Sequence, residues 1–156
     1  MSATISSPIA QRWLPRLLSG HPHQVIRTSA GDPYLLRWFL VPPNKYCQVY
    51  GHRFIGSDEP TPHDHPWHFL SIVLRGRYFE ESLGRPGRWR ALGHVAFRRA
   101  THTHRVMLAT DERGRERPCT TVVVTGPWLR PWGFWCTRER FVPWQEFGNG
   151  GCGDLR

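Results

Sequence analysis

The stretch "PHDHPWHFLSIVLRG" (residues 62–76) holds the decision about this chain. Its first half packs His63, His65 and His68 around Asp64, Pro66 and Trp67, and its second half is an apolar run closed by Gly76. In an extended segment residues i and i+2 share a face, so His63 and His65 would present both imidazoles to one side, about 7 Å apart along the backbone. Two such rings converge on one ion at about 2.1 Å each, and a third donor must then come from another strand. Asp64, between them, faces the other way and is placed to fix the loop or an imidazole by a hydrogen bond.

Outward from this point the sequence keeps a period of two. "YLLRWFLV" (34–41) stops at Pro42-Pro43, and "YCQVYGHRFI" (46–55) places Tyr46, Gln48, Tyr50, His52 and Phe54 on one face. The run "HFLSIVLRGRYFEE" (68–81) is apolar on both faces, as a buried strand is. "LGRPGRWR" reads as a hairpin connection, "HVAFRR" and "HRVMLA" as strands, "TDERGRERP" as a polar turn, and the β-branched "CTTVVVTG" as a strand. "PWGFWC" and "RFVPWQEF" complete the series. Roughly eight to ten short strands with almost no helix define an all-β sandwich or barrel. A short helix is expected over Ile9 to Leu18, ended by Gly20. The domain plan is a helix and loop over 1–24, a β-barrel over 25–147 and a loose tail over 148–156.

The whole-chain numbers agree with one domain: 156 residues, 8 tryptophans and 8 phenylalanines for a core, and no internal repeat. The formal charge is +9, almost all from arginine, with Lys45 the only lysine. A GC-rich genome explains that bias, and so does an anionic small-molecule partner. The arginines are scattered rather than blocked, which weighs against nucleic acid. Cys47, Cys119, Cys136 and Cys152 have no CxxC spacing and do not read as a disulfide framework or zinc ribbon. Cys119 and Cys136 lack a paired base and read as core or surface thiols. No stretch approaches the roughly 20 apolar residues of a membrane helix, and the N-terminus has no signal-peptide pattern, so a cytoplasmic protein is expected.

The spacing of glycines and histidines carries a resemblance. Gly56, His63, His65 and Gly76 match the first cupin motif, G(X)5HXH(X)3,4E(X)6G, with one extra residue before His63. After sixteen residues, Gly93 and His104 match the second, G(X)5PXG(X)2H(X)3N, with Arg99, Thr101 and Leu108 at its other named places. The chain thus resembles a small single-domain cupin, and it looks like uncharacterised bacterial and phage cupin-like proteins that pair "HDHPW" with a later "GPxxxxWGF", here "GPWLRPWGF" (126–134). The resemblance implies a jelly-roll barrel, that is, a double-stranded β-helix, and a mononuclear metal site of His63, His65 and His104. The family's glutamate falls at Phe69 or Leu70, neither of which binds metal. His68, one place earlier, is then a fourth candidate ligand, and His102 a weaker one.

Loss of the carboxylate resembles three-histidine cupins, which include thiol and diketone dioxygenases. The expected function is an Fe(II) oxygenase acting on a small polar or anionic molecule. The alternatives are a metal-dependent isomerase, lyase or dehydratase using Zn, Mn, Ni or Cu, and a non-catalytic metal- or ligand-binding cupin. Arg53 and Arg75 are candidates to clamp a substrate carboxylate, and Tyr50 to donate a proton or orient a bound oxygen. Trp67, Trp132, Phe134 and Trp135 are candidates for apolar pocket walls. His52 and His94 read as core or surface residues, and the H-x-H pair His21 and His23 as loop. Cupins cover exposed strand edges by pairing, so a homodimer fits the resemblance.

Overall fold

The structure, a computed structural model, describes residues 12–148 and 151–153. The N-terminal segment of the expected helix before residue 12 lies outside the described residues, and α1 spans Trp13–Leu18. Eleven strands follow: β1 (Gln24–Arg27), β2 (Pro33–Phe39), β3 (Gln48–Phe54), β4 (Phe69–Arg75), β5 (Arg77–Ser82), β6 (Arg85–Ala91), β7 (Val95–Arg98), β8 (His104–Leu108), β9 (Cys119–Thr125), β10 (Gly133–Trp135) and β11 (Phe141–Pro143). A one-turn helix, α2 (Trp144–Phe147), ends the series. Every named strand pair is antiparallel. A six-stranded sheet runs in the order β1-β2-β3-β9-β4-β7, against a three-stranded sheet β6-β5-β8 and the β10–β11 ribbon.

The inner face of the large sheet shows why these residues pair as they do. Leu35, Phe54 and Cys119 stand opposite one another on β2, β3 and β9, and Phe39, Tyr50 and Val123 form a parallel row four residues away on each strand. Both rows are buried, the first packing with Val73, Tyr78, Val106 and Leu108, the second with Phe69. Burial at about 25 cal/mol per Å² of apolar surface makes these two clusters the main favourable term of the fold. Cys119 is fully buried, and burial pushes its thiol up to about 11, so it is a packing residue.

The apolar run 68–81 is two strands rather than one. Gly76 breaks it with a φ of 79°, and a Cβ there would sit 2.7 Å from the Pro118 carbonyl oxygen. Gly76→Ala is expected to destabilise the fold by about 1–3 kcal/mol, the left-handed backbone penalty plus the clash. Urea unfolding checks this, and an unchanged midpoint would refute it.

Three further expectations are corrected. "LGRPGRWR" is mostly strand β6, paired with β5 from Arg77↔Ala91 to Ser82↔Arg85, because the turn needs only the two residues before Arg85. Strand β1 begins at Gln24, the last residue of the stretch expected to be N-terminal loop. Cys136 and Cys152 form a disulfide, which ties Cys152 back to the β10–β11 ribbon, so Cys136 is not a free core or surface thiol. No helix among the described residues is long and apolar enough to cross a membrane.

Candidate metal centre

Residues 62–68 are stitched into the barrel mouth by backbone pairing. His63 and His104 exchange both main-chain hydrogen bonds, at 3.0 and 2.9 Å, and the His65 N–H donates to the Ala100 carbonyl at 3.1 Å. Asp64 faces away from both histidines, as alternation requires. It accepts from the Gly133 N–H at 2.9 Å, from Trp135 Nε1 at 3.1 Å and from Arg130. These bonds lock the loop to β10, so His63 and His65 point inward with little freedom.

The outcome is a compact triangle of imidazoles. Ring centroids lie 5.0 Å apart for His63–His65, 5.1 Å for His63–His104 and 5.0 Å for His65–His104. One nitrogen from each lies within 4.8 Å of the others, a grouping that can hold one metal ion. The Nε2 atoms of His65 and His104 are 2.8 Å apart, near the roughly 3 Å between two ligands that share an ion at about 2.1 Å.

Electrostatics suit the ligand role. His104 Nδ1 donates to the buried carboxylate of Glu80 at 3.0 Å, which leaves the Nε2 lone pair aimed at His65. Burial, opposed by the hydrogen bond to Glu80, lowers His104 to about 4. Burial, then the neighbouring His63, His104 and Arg37 charges, hold His65 well below the ordinary histidine range. Both rings are therefore neutral at neutral pH, the state a metal requires. His63 Nδ1 is buried without a hydrogen-bond partner and lies 3.4 Å from Asp58 Oδ2. Three converging imidazoles, one orphaned nitrogen and a carboxylate behind His104 fit a divalent transition metal.

Glu80 is the residue that sequence reasoning missed. It is 2% exposed and accepts from Arg98 through both oxygens and from Arg90 Nε at 2.8 Å. Burial alone would raise its carboxyl, but hydrogen bonds from His102, His104 and Arg98 outweigh that and hold it far below the carboxylate range. His102 lies on this hub, 3.6 Å from Glu80 Oε1, rather than on the three-histidine triangle. Glu80, His102 and His104 also come close enough to hold an ion, but the two arginines already occupy the carboxylate.

Several expected site residues fall elsewhere. His68 is exposed, and its Nδ1 accepts from the Ala100 N–H at 2.8 Å. Pro66 and Trp67 put it three residues beyond His65, off the inward face, so it does not join the triangle. Arg53 and Arg75 are exposed at outward positions of β3 and β4 and do not line the cavity. Tyr50 does line it, buried, with its ring stacked on His52 at 5.5 Å. Trp67, Trp132 and Phe134 form walls as expected, whereas Trp135 holds Asp64 from outside. His23 is structural, with Nδ1 accepting from the Phe39 N–H and Nε2 donating to the Trp13 carbonyl. Phe69, at the place of the family glutamate, points inward and packs its ring 4.6 Å from that of His65.

The triangle opens into a cavity of about 690 Å³ between the sheets. Three arginines line it, of which Arg27 is exposed and donates to the Gly31 carbonyl. Arg98 is neutralised by Glu80, and Arg37, which the alternation Leu35-Arg37-Phe39 turns inward, donates from Nε to His52 Nε2 at 2.9 Å. His52 thus belongs to the cavity wall rather than to an anonymous core.

No family model matches the chain, and no curated protein does. Solved structures do. The chain is similar to an uncharacterised conserved protein with a double-stranded β-helix domain from Klebsiella pneumoniae, at 18% identity and a TM-score of 0.50, over 65% of this chain and 84% of that one. It is similar to the DMSP lyase DddQ from Ruegeria pomeroyi at 16% identity and a TM-score of 0.53, over 81% of this chain and 66% of that one. It is similar to a cupin-like protein from Thermotoga maritima at 21% identity and a TM-score of 0.51, over 76% and 86%. Identities this low speak for the fold: the chain is a double-stranded β-helix of the cupin type, with a buried histidine and glutamate cluster able to bind a metal ion.

Proposed function

We propose that the protein is a mononuclear metal-dependent enzyme, and specifically an iron(II) oxygenase of a small polar or anionic molecule. The observation that carries this reading is the triangle of three imidazoles at the wall of the cavity, with Phe69 where a carboxylate ligand would stand. A divalent ion held by His63, His65 and His104 would supply Lewis-acid or one-electron chemistry at its open positions. The chain's own contribution is orientation and exclusion of water. Glu80 fixes the His104 tautomer, Asp64 fixes the loop, and the rings of Phe69, Trp132 and Phe134 keep the site apolar on the side of the histidines. Tyr50 is buried beside His52, and burial raises its phenol above the ordinary range, so it would serve as a proton donor rather than as a base.

A second reading is metal-assisted elimination. The Ruegeria neighbour is named a lyase, and the phenols of Tyr34 and Tyr50 on the cavity wall would donate a proton to the leaving group. The test is to load the metal-free protein separately with iron(II) and zinc and screen small thiols, diketones and hydroxy acids with an oxygen electrode and product analysis. Oxygen uptake that needs iron and a screened compound, and that disappears in His65→Ala, is the expected result. Product formed with either metal and no oxygen uptake would replace the oxygenase reading by the second.

A further inference from the structure

The inner face of the large sheet carries a polar band where packing alone would have put apolar residues. On β2 the inward residues run Leu35-Arg37-Phe39, on β3 Phe54-His52-Tyr50 and on β9 Cys119-Thr121-Val123. Register aligns Gln24 with Arg37, Arg37 with His52 and His52 with Thr121, so the band crosses four strands in one line. Apolar rows flank it on both sides, and all four side chains line the cavity.

Nothing in the band supplies a negative charge. Arg37 donates to His52 Nε2 and, at 3.3 Å, to Gln24 Oε1, and its guanidinium lies 4.5 Å above the Tyr50 ring. Among the described residues no carboxylate pairs with it. The two cavity carboxylates lie elsewhere: Glu59 accepts from the Ser29 N–H and hydroxyl, and Asp58 accepts from the Glu59 N–H and sits beside the histidine triangle, 3.4 Å from His63 Nδ1. A desolvated cation without a counter-ion is unfavourable, and an arriving anion removes that penalty.

The neighbours of Arg37 are donors as well. Because His52 Nε2 accepts from Arg37, its proton sits on Nδ1. Thr121 is 2% exposed, and its hydroxyl has no hydrogen-bond partner. One guanidinium, one imidazole N–H and one hydroxyl make a site of a single positive charge, matched to a monoanion rather than to a phosphate dianion.

We propose that Arg37, His52 and Thr121 form a carboxylate-binding subsite, so that the substrate is a small carboxylic acid whose acid group rests on this band while a second donor faces the three histidines. The subsite assignment stands on the band itself; its link to substrate rests on the metal-enzyme reading above.

The probe is glutaramate, a monoanion with an amide at its far end, beside the diamide glutaramide, titrated into metal-free and into cobalt-loaded protein. Calorimetry gives affinity, and the arginine Nε–H cross-peaks in a 15N spectrum report the site. Glutaramate is expected to bind at least about tenfold more tightly than the diamide, the scale of one charge-assisted hydrogen bond, and to shift the Arg37 cross-peak. R37Q should erase the preference, R37K should keep part of it, and R53Q, on the outer face, should leave it whole. Equal binding of acid and amide by the unmutated protein would overturn the proposal, as would a preference that survives in folded R37Q. The two readings separate cleanly. An Arg37-dependent preference in a protein that takes up no cobalt would keep the subsite and end the metal reading. Stoichiometric cobalt with no acid preference would do the reverse.

Discussion

His104→Ala is expected to strip the protein of bound metal, from about one ion per chain to a level set by an affinity more than about 100-fold weaker, beyond the 10–100-fold that follows loss of an outer partner. His63→Ala and His65→Ala should behave alike. Each ring supplies one corner of a triangle whose other corners sit on separate pieces of chain, the loop 62–68 and β8. Two remaining imidazoles leave a site that water fills at little gain. His68→Ala is the matched control, because that ring is exposed and turned to the Ala100 N–H. Elemental analysis after anaerobic purification, with circular dichroism to confirm folding, checks the set. Metal retained in all three inner variants, or lost as fully in His68→Ala, would dismantle the site.

What could be read beforehand depended on the range of the physics involved. The strand period showed in "YCQVYGHRFI", and Tyr50, His52 and Phe54 are all inward and buried. The pair His63 and His65 was legible because i and i+2 share a face whatever surrounds them. The partnership with His104 required the cupin frame, since the bridge between the two segments spans the barrel. Arg53 falls outside because the alternation that turns Tyr50, His52 and Phe54 inward turns it out, and Arg75 because the register shifts between Val73 and it. The same alternation, applied to "YLLRWFLV", puts Arg37 between the core residues Leu35 and Phe39, and that was the available signal for an inward charge. Glu80 had a similar signal in Tyr78-x-Glu80, but its four partners come from β6, β7, β8 and the turn before β8, a convergence no local pattern displays. Cys136 and Cys152 are joined only because the chain after β11 folds back, so their spacing was silent.

Glu80→Gln is expected to be the most damaging single-atom exchange in the barrel. The carboxylate receives the forked guanidinium of Arg98, the Nε of Arg90 and the Nδ1 of His104, all donors. A carboxamide keeps one acceptor oxygen and turns an NH2 against those donors, leaving buried Arg98 without its counter-ion. Breaking one side of a buried pair costs about 3–5 kcal/mol. For a chain of this size that is a fall in Tm of roughly 6–20 °C, at about 2–4 °C per kcal/mol. Acid should reproduce the loss gradually. Folded Glu80 binds its proton less readily than the unfolded chain, whose carboxyl titrates near 4.5, so its stabilisation is complete above that pH and declines below it. His104 acts in the same direction, because it stays neutral to about 4 while the unfolded ring takes up a proton near 6.5. Thermal melts of the unmutated protein should therefore begin to fall below about pH 6.5, where the unfolded ring takes up its proton, and fall further below about pH 4.5, where Glu80 adds its share. In Glu80→Gln they should start lower and lack the added fall below about pH 4.5, since the carboxylate's share is already gone. The folded variant should also bind metal about 10–100-fold more weakly, because His104 has lost the group that fixes its tautomer. A Glu80→Gln protein with unchanged Tm at pH 7 would mean that the two arginines find other partners, and the carboxylate hub would then not be what holds β5, β7 and β8 around the site.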